Sequence, residues 1–125
     1  MLKDKMIAVD FDQTLAYGTY PECGKPNVRL IDWLNECKKN GCKLILFTCR
    51  EGKPLEDAVE WCKEHGLEFD AVNDNLEEVK QRLGANPRKV LFDHYIDTTN
   101  VIPDYALDKW QKEQAEDNRR KVCVF

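Results

Sequence analysis

Several features that would assign a function at once are missing from this sequence. Only two histidines are present, and none of the six cysteines forms a C-x-x-C pair, so a zinc site is not expected. No apolar run approaches the ~20 residues that span a bilayer. The charged start, Met1 to Lys5, has no apolar signal segment, which predicts a cytoplasmic protein with no membrane partner and with reduced thiols.

Two common phosphate-binding loops are also absent. The spacing between Gly18 and Lys25 does not match a P-loop, and Cys49 lacks the arginine six positions later that a cysteine phosphatase needs, since Leu55 stands there. The net charge of -4 argues against an extended nucleic-acid-binding surface, which is usually basic. A length of 125 residues with 42% apolar and 34% charged side chains predicts one globular domain, residues 1–125.

Apolar runs of strand length alternate with helical periods along the chain. Strands are predicted at 6–9, 43–48, 69–73 and 89–97, and helices at 28–40, from Pro54 to about His65, at 76–83 and at 104–121. Residues 15–27 are predicted to be a loop or a small β-flap, and 122–125 an edge strand or a docked end. Right-handed crossovers then give an α/β fold whose mostly parallel sheet is covered on both faces, a three-layer Rossmann-like arrangement.

Two acids follow the first predicted strand. The apolar run from Met6 to Val9 stops at Asp10, and Asp12 comes two positions later. Carboxylates held near a buried strand end need a cation or several donors, and two close together repel unless a metal or a proton neutralises them. Ligands of open α/β sheets bind outside the carboxyl ends of the strands. The pattern predicts a magnesium site with a carboxylate available for chemistry.

The segment Asp10-Phe11-Asp12-Gln13-Thr14 resembles the DxDxT signature of the haloacid-dehalogenase-like (HAD) hydrolase superfamily. The resemblance implies a HAD-like fold and a phosphatase in which Asp10 is the nucleophile and Asp12 the general acid and base. Thr14, the last residue of the signature, is expected to contact substrate. Further along the chain, the combination of Lys89 with Asp93-His94-Tyr95-Ile96-Asp97 is similar to small uncharacterised HAD-like hydrolases of bacteria and phage.

The later motifs are expected at the ends of the following strands. Thr48, in Leu46-Phe47-Thr48-Cys49-Arg50, matches the second HAD motif, whose hydroxyl binds a phosphate oxygen. Arg50 is expected either to clamp substrate phosphate or to form a surface ion pair. The third HAD motif is a lysine just before the fourth strand. It is assigned to Lys89 by this position, with Lys80 as the competitor.

The fourth motif should supply a magnesium ligand. Asp97 is the first choice, and Asp93 is the second because it falls within the predicted strand. The resemblance implies that Mg²⁺ is held by Asp10, the main-chain carbonyl of Asp12, Asp97 and the phosphate. Many relatives have a second acid where this chain has Thr98, which puts the metal affinity in question.

The resemblance also implies that no cap domain is present, because the segments between the motifs hold only core elements; this describes a capless (C0-type) member. An open site suits a phosphate on a large molecule, such as a nucleic-acid end or a phosphoprotein, although a nucleotide or sugar phosphate also fits. Oligomerisation is an alternative source of a lid. The rival hypothesis is a non-catalytic module on the same fold that binds a phospho-ligand or a metal.

Overall fold

A computed structural model describes residues 2–97 of the chain. The secondary-structure elements of this part are β1 (Met6–Val9), β2 (Ala16–Tyr17), β3 (Lys25–Pro26), α1 (Val28–Lys39), β4 (Lys43–Leu46), α2 (Gly52–Glu64), β5 (Ala71–Val72), α3 (Glu77–Leu83) and β6 (His94–Ile96). The helix predicted at 104–121, the segment 122–125 and Thr98 lie outside the described residues.

The central sheet has four strands in the order β5-β4-β1-β6, and every neighbouring pair is parallel. Parallel strands need crossover connections, and α1, α2 and α3 lie in the segments that connect successive strands of this sheet. The prediction of an α/β fold with a mostly parallel sheet is confirmed. The predicted flap is a small antiparallel hairpin of β2 and β3.

Alternate residues of the two central strands, β1 and β4, belong to two separate hydrophobic clusters. Ile7, Val9, Leu44 and Leu46 pack with buried residues of α1 and α2. The intervening residues, Ala8 and Ile45, pack instead with Leu76 and Val79. Successive side chains of a strand point to opposite faces, so both faces of β1 and β4 are buried, which explains their continuous apolar runs.

Local sequence signals fix the ends of α1. The side chain of Asn27 accepts a hydrogen bond from the main-chain N–H of Leu30 at 3.3 Å, which caps the first turn. At the other end Asn40 is the C-cap, and Gly41 follows with a φ of 87°. Helix α2 begins at Gly52, two residues before the predicted Pro54 start, and ends at Glu64.

The observed strands are shorter than the predicted ones. β4 ends at Leu46 rather than at residue 48, β5 covers two residues, and β6 begins only at His94. The cysteines at positions 23, 37, 42, 49 and 62 are all free. Among the helices within residues 2–97, none has the length and the apolar character needed to cross a bilayer.

Candidate active site

Two carboxylates meet at the carboxyl edge of the central sheet. Val9 is paired with Ile96, and the main-chain N–H of Asp10 donates to the carbonyl of Ile96 at 3.0 Å, so Asp10 and Asp97 follow neighbouring strand ends. Neighbouring strands lie only about 5 Å apart. The structure therefore brings together two of the acids that the sequence singles out.

The environment of Asp10 opposes its negative charge. Burial is the largest cause, and the charge of Asp97 is the next, and together they raise the pKa of Asp10 from 3.8 to about 6. Hydrogen bonds from the main chain of Phe11 and from Thr14 act in the opposite direction, and the charge of Asp12 adds a smaller increase. Asp10 is still mostly ionised at neutral pH, and a cation beside it would relieve the repulsion from Asp97.

Asp97 is oriented by a tyrosine of its own strand. Only 8% of Asp97 is exposed, and its Oδ2 accepts a hydrogen bond from the Tyr95 hydroxyl at 2.9 Å. Burial and this hydrogen bond raise the pKa of Tyr95, so the phenol keeps its proton and remains a donor. Tyr95 therefore holds the Asp97 carboxylate in place, at the strand end next to that of Asp10.

The side chain of Asp12 is engaged by Arg50. Arg50 Nη2 lies 2.7 Å from Asp12 Oδ1, and Nε lies 2.9 Å from Oδ2, a two-point contact in which each carboxylate oxygen accepts one bond. The arginine side chain is 1% exposed, whereas the Asp12 side chain is 36% exposed. The hydrogen bonds that Arg50 donates to Asp12 raise the pKa of Arg50, so the guanidinium keeps its charge.

The remaining donors of Arg50 go to main-chain carbonyls. Nη1 donates to Pro21 and Pro54 at 2.8 and 3.1 Å, and Nη2 donates to Glu22 at 3.0 Å. The guanidinium also lies over the rings of Phe11 and Tyr20, with centroid distances of 4.8 and 5.1 Å. All five N–H groups are satisfied, so neither predicted role fits: Arg50 has no donor left for a substrate phosphate, and its ion pair is not a surface pair.

Thr14 does not contact solvent, which contradicts its predicted role in substrate binding. It is completely buried, and its hydroxyl is 3.3 Å from Asp10 Oδ2. Its main-chain carbonyl accepts a hydrogen bond from the Asn27 amide, which also caps α1. Thr14 therefore orients Asp10 and links it to the first helix instead of binding a ligand.

Thr48 lies in the turn after β4, where Phe47 occupies the position adjacent to Asp10. The Thr48 hydroxyl oxygen accepts a hydrogen bond from the main-chain N–H of Arg50 at 3.2 Å, a contact typical of such turns. Its own N–H donates to the side chain of Asn73 at 2.8 Å. The half-buried hydroxyl keeps its proton for another acceptor, so the predicted contact with a phosphate oxygen stays open.

Neither candidate lysine touches Asp10. Lys80 Nζ lies 2.7 Å from Asp74 Oδ2 in an ion pair outside the acidic pair at the strand ends. Lys89 is exposed, and within the described part of the chain its ammonium group makes no hydrogen bond or ion pair. The assignment of a motif lysine therefore stays a prediction.

Asp93, the second choice of metal ligand, lies at the wrong end of the sheet. Its Oδ2 accepts a hydrogen bond from the main-chain N–H of Met6 at 2.8 Å. Met6 begins β1 and Asp10 follows its end, so the whole strand separates the two carboxylates. Asp93 positions the start of β1, and this alternative is excluded.

Two asparagines that the sequence analysis did not single out hold the loops around the site. Asn75 is 2% exposed; its amide nitrogen donates to Asn86, Pro87 and Lys89, and its oxygen accepts from Leu91 N–H at 2.7 Å. Asn73 has a φ of 50° and contacts the turn at Thr48. The sequence shows that both asparagines lie beside predicted turns, but it does not reveal their partners, which are 11 to 25 residues away.

The donor set suits a hard cation. Asp10 and Asp97 offer two carboxylates on neighbouring strand ends, and oxygen is the ligand type that Mg²⁺ prefers. Between residues 2 and 97, no group of three or more His, Cys, Asp or Glu side chains is placed to hold a metal ion. The expected magnesium ligands do not require three such side chains. Asp12 is expected to contribute only its main-chain carbonyl, and its carboxylate is bound to Arg50.

Comparison with known proteins identifies a similar solved structure. No protein-family model and no curated protein matches the chain. The fold is similar to a solved structure of a conserved protein coded by a locus of Bacteroides thetaiotaomicron, with a TM-score of 0.71 and 34% sequence identity over 94% of this chain and 93% of that one. At this identity and coverage, the two chains belong to the same family.

Proposed function

We propose that this member of the family of the Bacteroides thetaiotaomicron protein is a capless, HAD-like, magnesium-dependent phosphatase. The observation that carries the proposal is the pairing of Asp10 with Asp97 at neighbouring strand ends, with Asp12 two residues further along. The pKa of Asp10, about 6, leaves the carboxylate ionised at neutral pH and close to a charge that a cation would neutralise.

The arrangement of the core supports the HAD-like assignment. In the parallel order β5-β4-β1-β6, the strand β1 that leads to Asp10 lies inside the sheet, and helical residues pack on both faces of it. We infer a three-layer Rossmann-like domain in which the substrate approaches the carboxyl edge of the strands. The hairpin of β2 and β3 is the only insertion in the described residues between β1 and α1, and it is too small to be a cap domain.

In the first chemical step an oxygen of the Asp10 carboxylate attacks phosphorus, and the bond from phosphorus to the ester oxygen breaks. Protonated Asp12 gives its proton to that leaving oxygen, so an alcohol departs and an aspartyl-phosphate remains on Asp10. The hydroxyl of Thr14 supports the orientation of the attacking carboxylate.

In the second step the Asp12 carboxylate takes a proton from water, and the resulting hydroxide oxygen attacks phosphorus. The bond between phosphorus and Asp10 breaks, which releases inorganic phosphate and restores the Asp10 carboxylate. The two-point contact with Arg50 holds Asp12 in place for this step, and one of these hydrogen bonds must loosen when Asp12 carries the proton.

Asp10, Asp97 and the main-chain carbonyl of Asp12 would hold the magnesium ion. When bound, Mg²⁺ supplies positive charge that offsets the negative charges of the carboxylates and the phosphoryl group. Tyr95 contributes by fixing one oxygen of Asp97.

A second candidate is a non-catalytic module that binds a phospho-ligand or a metal. The observation in its favour is that both Asp12 oxygens accept hydrogen bonds from Arg50, which occupies the group that would transfer protons. Such a module would bind Mg²⁺ or phosphate and turn over no ester.

Hydrolysis of p-nitrophenyl phosphate with and without Mg²⁺ tests the proposal. We expect magnesium-dependent turnover that falls to the uncatalysed background in Asp10→Asn and drops by at least ~10²-fold in Asp12→Asn. Asp93→Asn is the matched control, because it removes an acid at the opposite end of β1 and keeps an oxygen for Met6 N–H. Binding of Mg²⁺ with no turnover of any phosphate ester would favour the module.

A further inference from the structure

We propose that Phe47, Phe92 and Tyr95 form a subsite for the base of a nucleoside monophosphate, next to the carboxylates that act on its phosphate. This inference rests on the phosphatase function and names the substrate class. We call these three residues the aromatic cluster.

The three rings of the aromatic cluster contact one another. Phe47 and Tyr95 meet edge to face with centroids 5.8 Å apart, and Phe47 and Phe92 are 6.0 Å apart at an interplanar angle of 53°. Phe92 and Tyr95 are also 5.8 Å apart. Each ring is held by the other two, so a planar ligand would meet a surface that is already ordered.

The aromatic cluster adjoins the acidic pair on both sides. Val9 pairs with Leu46, so Phe47 follows β4 at the position where Asp10 follows β1, and Phe47 N–H donates to the carbonyl of Val9 at 2.9 Å. On the other side, the Tyr95 hydroxyl donates to Asp97. In a nucleotide a single sugar separates the base from the phosphate, which matches a ring surface immediately beside a phosphate-reacting group.

Core packing accounts for two of the rings but not for the third. Phe92 and Tyr95 pack against the cluster that contains Ala8 and Ile45. Phe47 is 36% exposed and belongs to neither buried cluster. A partly exposed phenylalanine in contact with two other rings offers an aromatic surface on which any base can stack.

Steady-state kinetics with two substrates test the subsite. Adenosine 5′-monophosphate and ribose 5-phosphate share the sugar and the phosphate and differ in the base. In Phe47→Leu we expect the KM for adenosine 5′-monophosphate to rise about tenfold with little change in kcat, because stacking on one ring is lost. The kinetics of ribose 5-phosphate should not change. Phe47→Tyr retains a ring and should restore the low KM.

Equal losses for both substrates, or a wild-type enzyme that uses both equally well, would overturn the subsite. A separate arm removes the dependence on turnover: calorimetry in Mg²⁺ on Asp10→Asn, with and without Phe47→Leu. The subsite predicts that adenosine 5′-monophosphate binds more tightly than ribose 5-phosphate and that Phe47→Leu removes the difference. Such binding without wild-type hydrolysis would refute the phosphatase and keep the subsite; no difference in binding would refute the subsite alone.

Discussion

Arg50 forms a two-point ion pair with Asp12 and, through three main-chain carbonyls, joins that acid to the flap and to the first turn of α2. The guanidinium is buried while the carboxylate is partly open. Arg50 is therefore a positioning residue: it fixes where Asp12 lies but offers no donor of its own to a substrate.

Removing the guanidinium should destabilise the domain. Arg50→Met leaves the Asp12 charge and three carbonyls without their partner, so we expect the free energy of unfolding in urea to fall by about 2 kcal/mol or more. Lys53→Met is the control, because the pair between Lys53 and Asp57 is exposed and such pairs contribute little to stability. Equal midpoints for the two variants would show that the Arg50 contacts do not stabilise the fold.

Stability should fall with pH in the range where Asp10 ionises. Its pKa is 3.8 in the unfolded chain and about 6 in the folded one, so the folded protein binds the proton more tightly and loses stability as the pH rises through this window. Asp10→Asn removes that penalty. Without metal, and allowing for solvent screening of a half-exposed group, we expect this variant to be more stable by about 1 kcal/mol above pH 6.

The same variant should match the wild type below pH 3.8, where both side chains are neutral. Urea unfolding in chelator at several pH values measures the difference. A wild type that is more stable than Asp10→Asn at neutral pH would contradict the electrostatic environment described for Asp10.

Magnesium should stabilise the protein through the acidic pair. Millimolar Mg²⁺ should raise the Tm of the wild type at pH 7.5, because a ligand that binds only the folded state stabilises it. Asp97→Asn should lose the shift, and Asp93→Asn should keep it, since Asp93 lies at the other end of β1. An equal Tm shift in all three proteins would place the ion elsewhere.

Asn75 should be important for the approach to β6. Asn75→Ala leaves the buried N–H of Leu91 and several carbonyls without a partner, and we expect a loss of about 2 kcal/mol in the free energy of unfolding. Asn35→Ala removes a single exposed bond to Gly66 and should cost much less. Faster hydrogen exchange at Leu91 in Asn75→Ala would report the loosened segment, and unchanged exchange would count against this role.

The parallel core could be predicted because its signal is local. The apolar runs of β1 and β4 are buried on both faces, and α1 ends at Asn40 and Gly41, residue types that commonly end helices. The approach to β6 could not be predicted in the same way. The sequence predicts a strand over residues 89–91. Instead, this segment forms hydrogen bonds with the side chain of Asn75, which lies 14 to 16 residues earlier.

The same distinction between local signals and distant contacts applies to the candidate site. The meeting of Asp10 and Asp97 follows from strand ends in a parallel sheet and could be predicted from the sequence. The roles of Thr14 and Arg50 could not, because they depend on burial and on partners up to 38 residues apart. A buried arginine with every donor satisfied has the same local sequence as one that binds phosphate.

Acid quenching during turnover of a ³²P-labelled phosphate ester tests the central claim most directly. We expect label on the wild-type protein in an acid-stable, hydroxylamine-sensitive form, mapped to the peptide that contains Asp10, and no label on Asp10→Asn. Turnover by Asp10→Asn at the wild-type rate, or label mapped to another residue, would contradict the account.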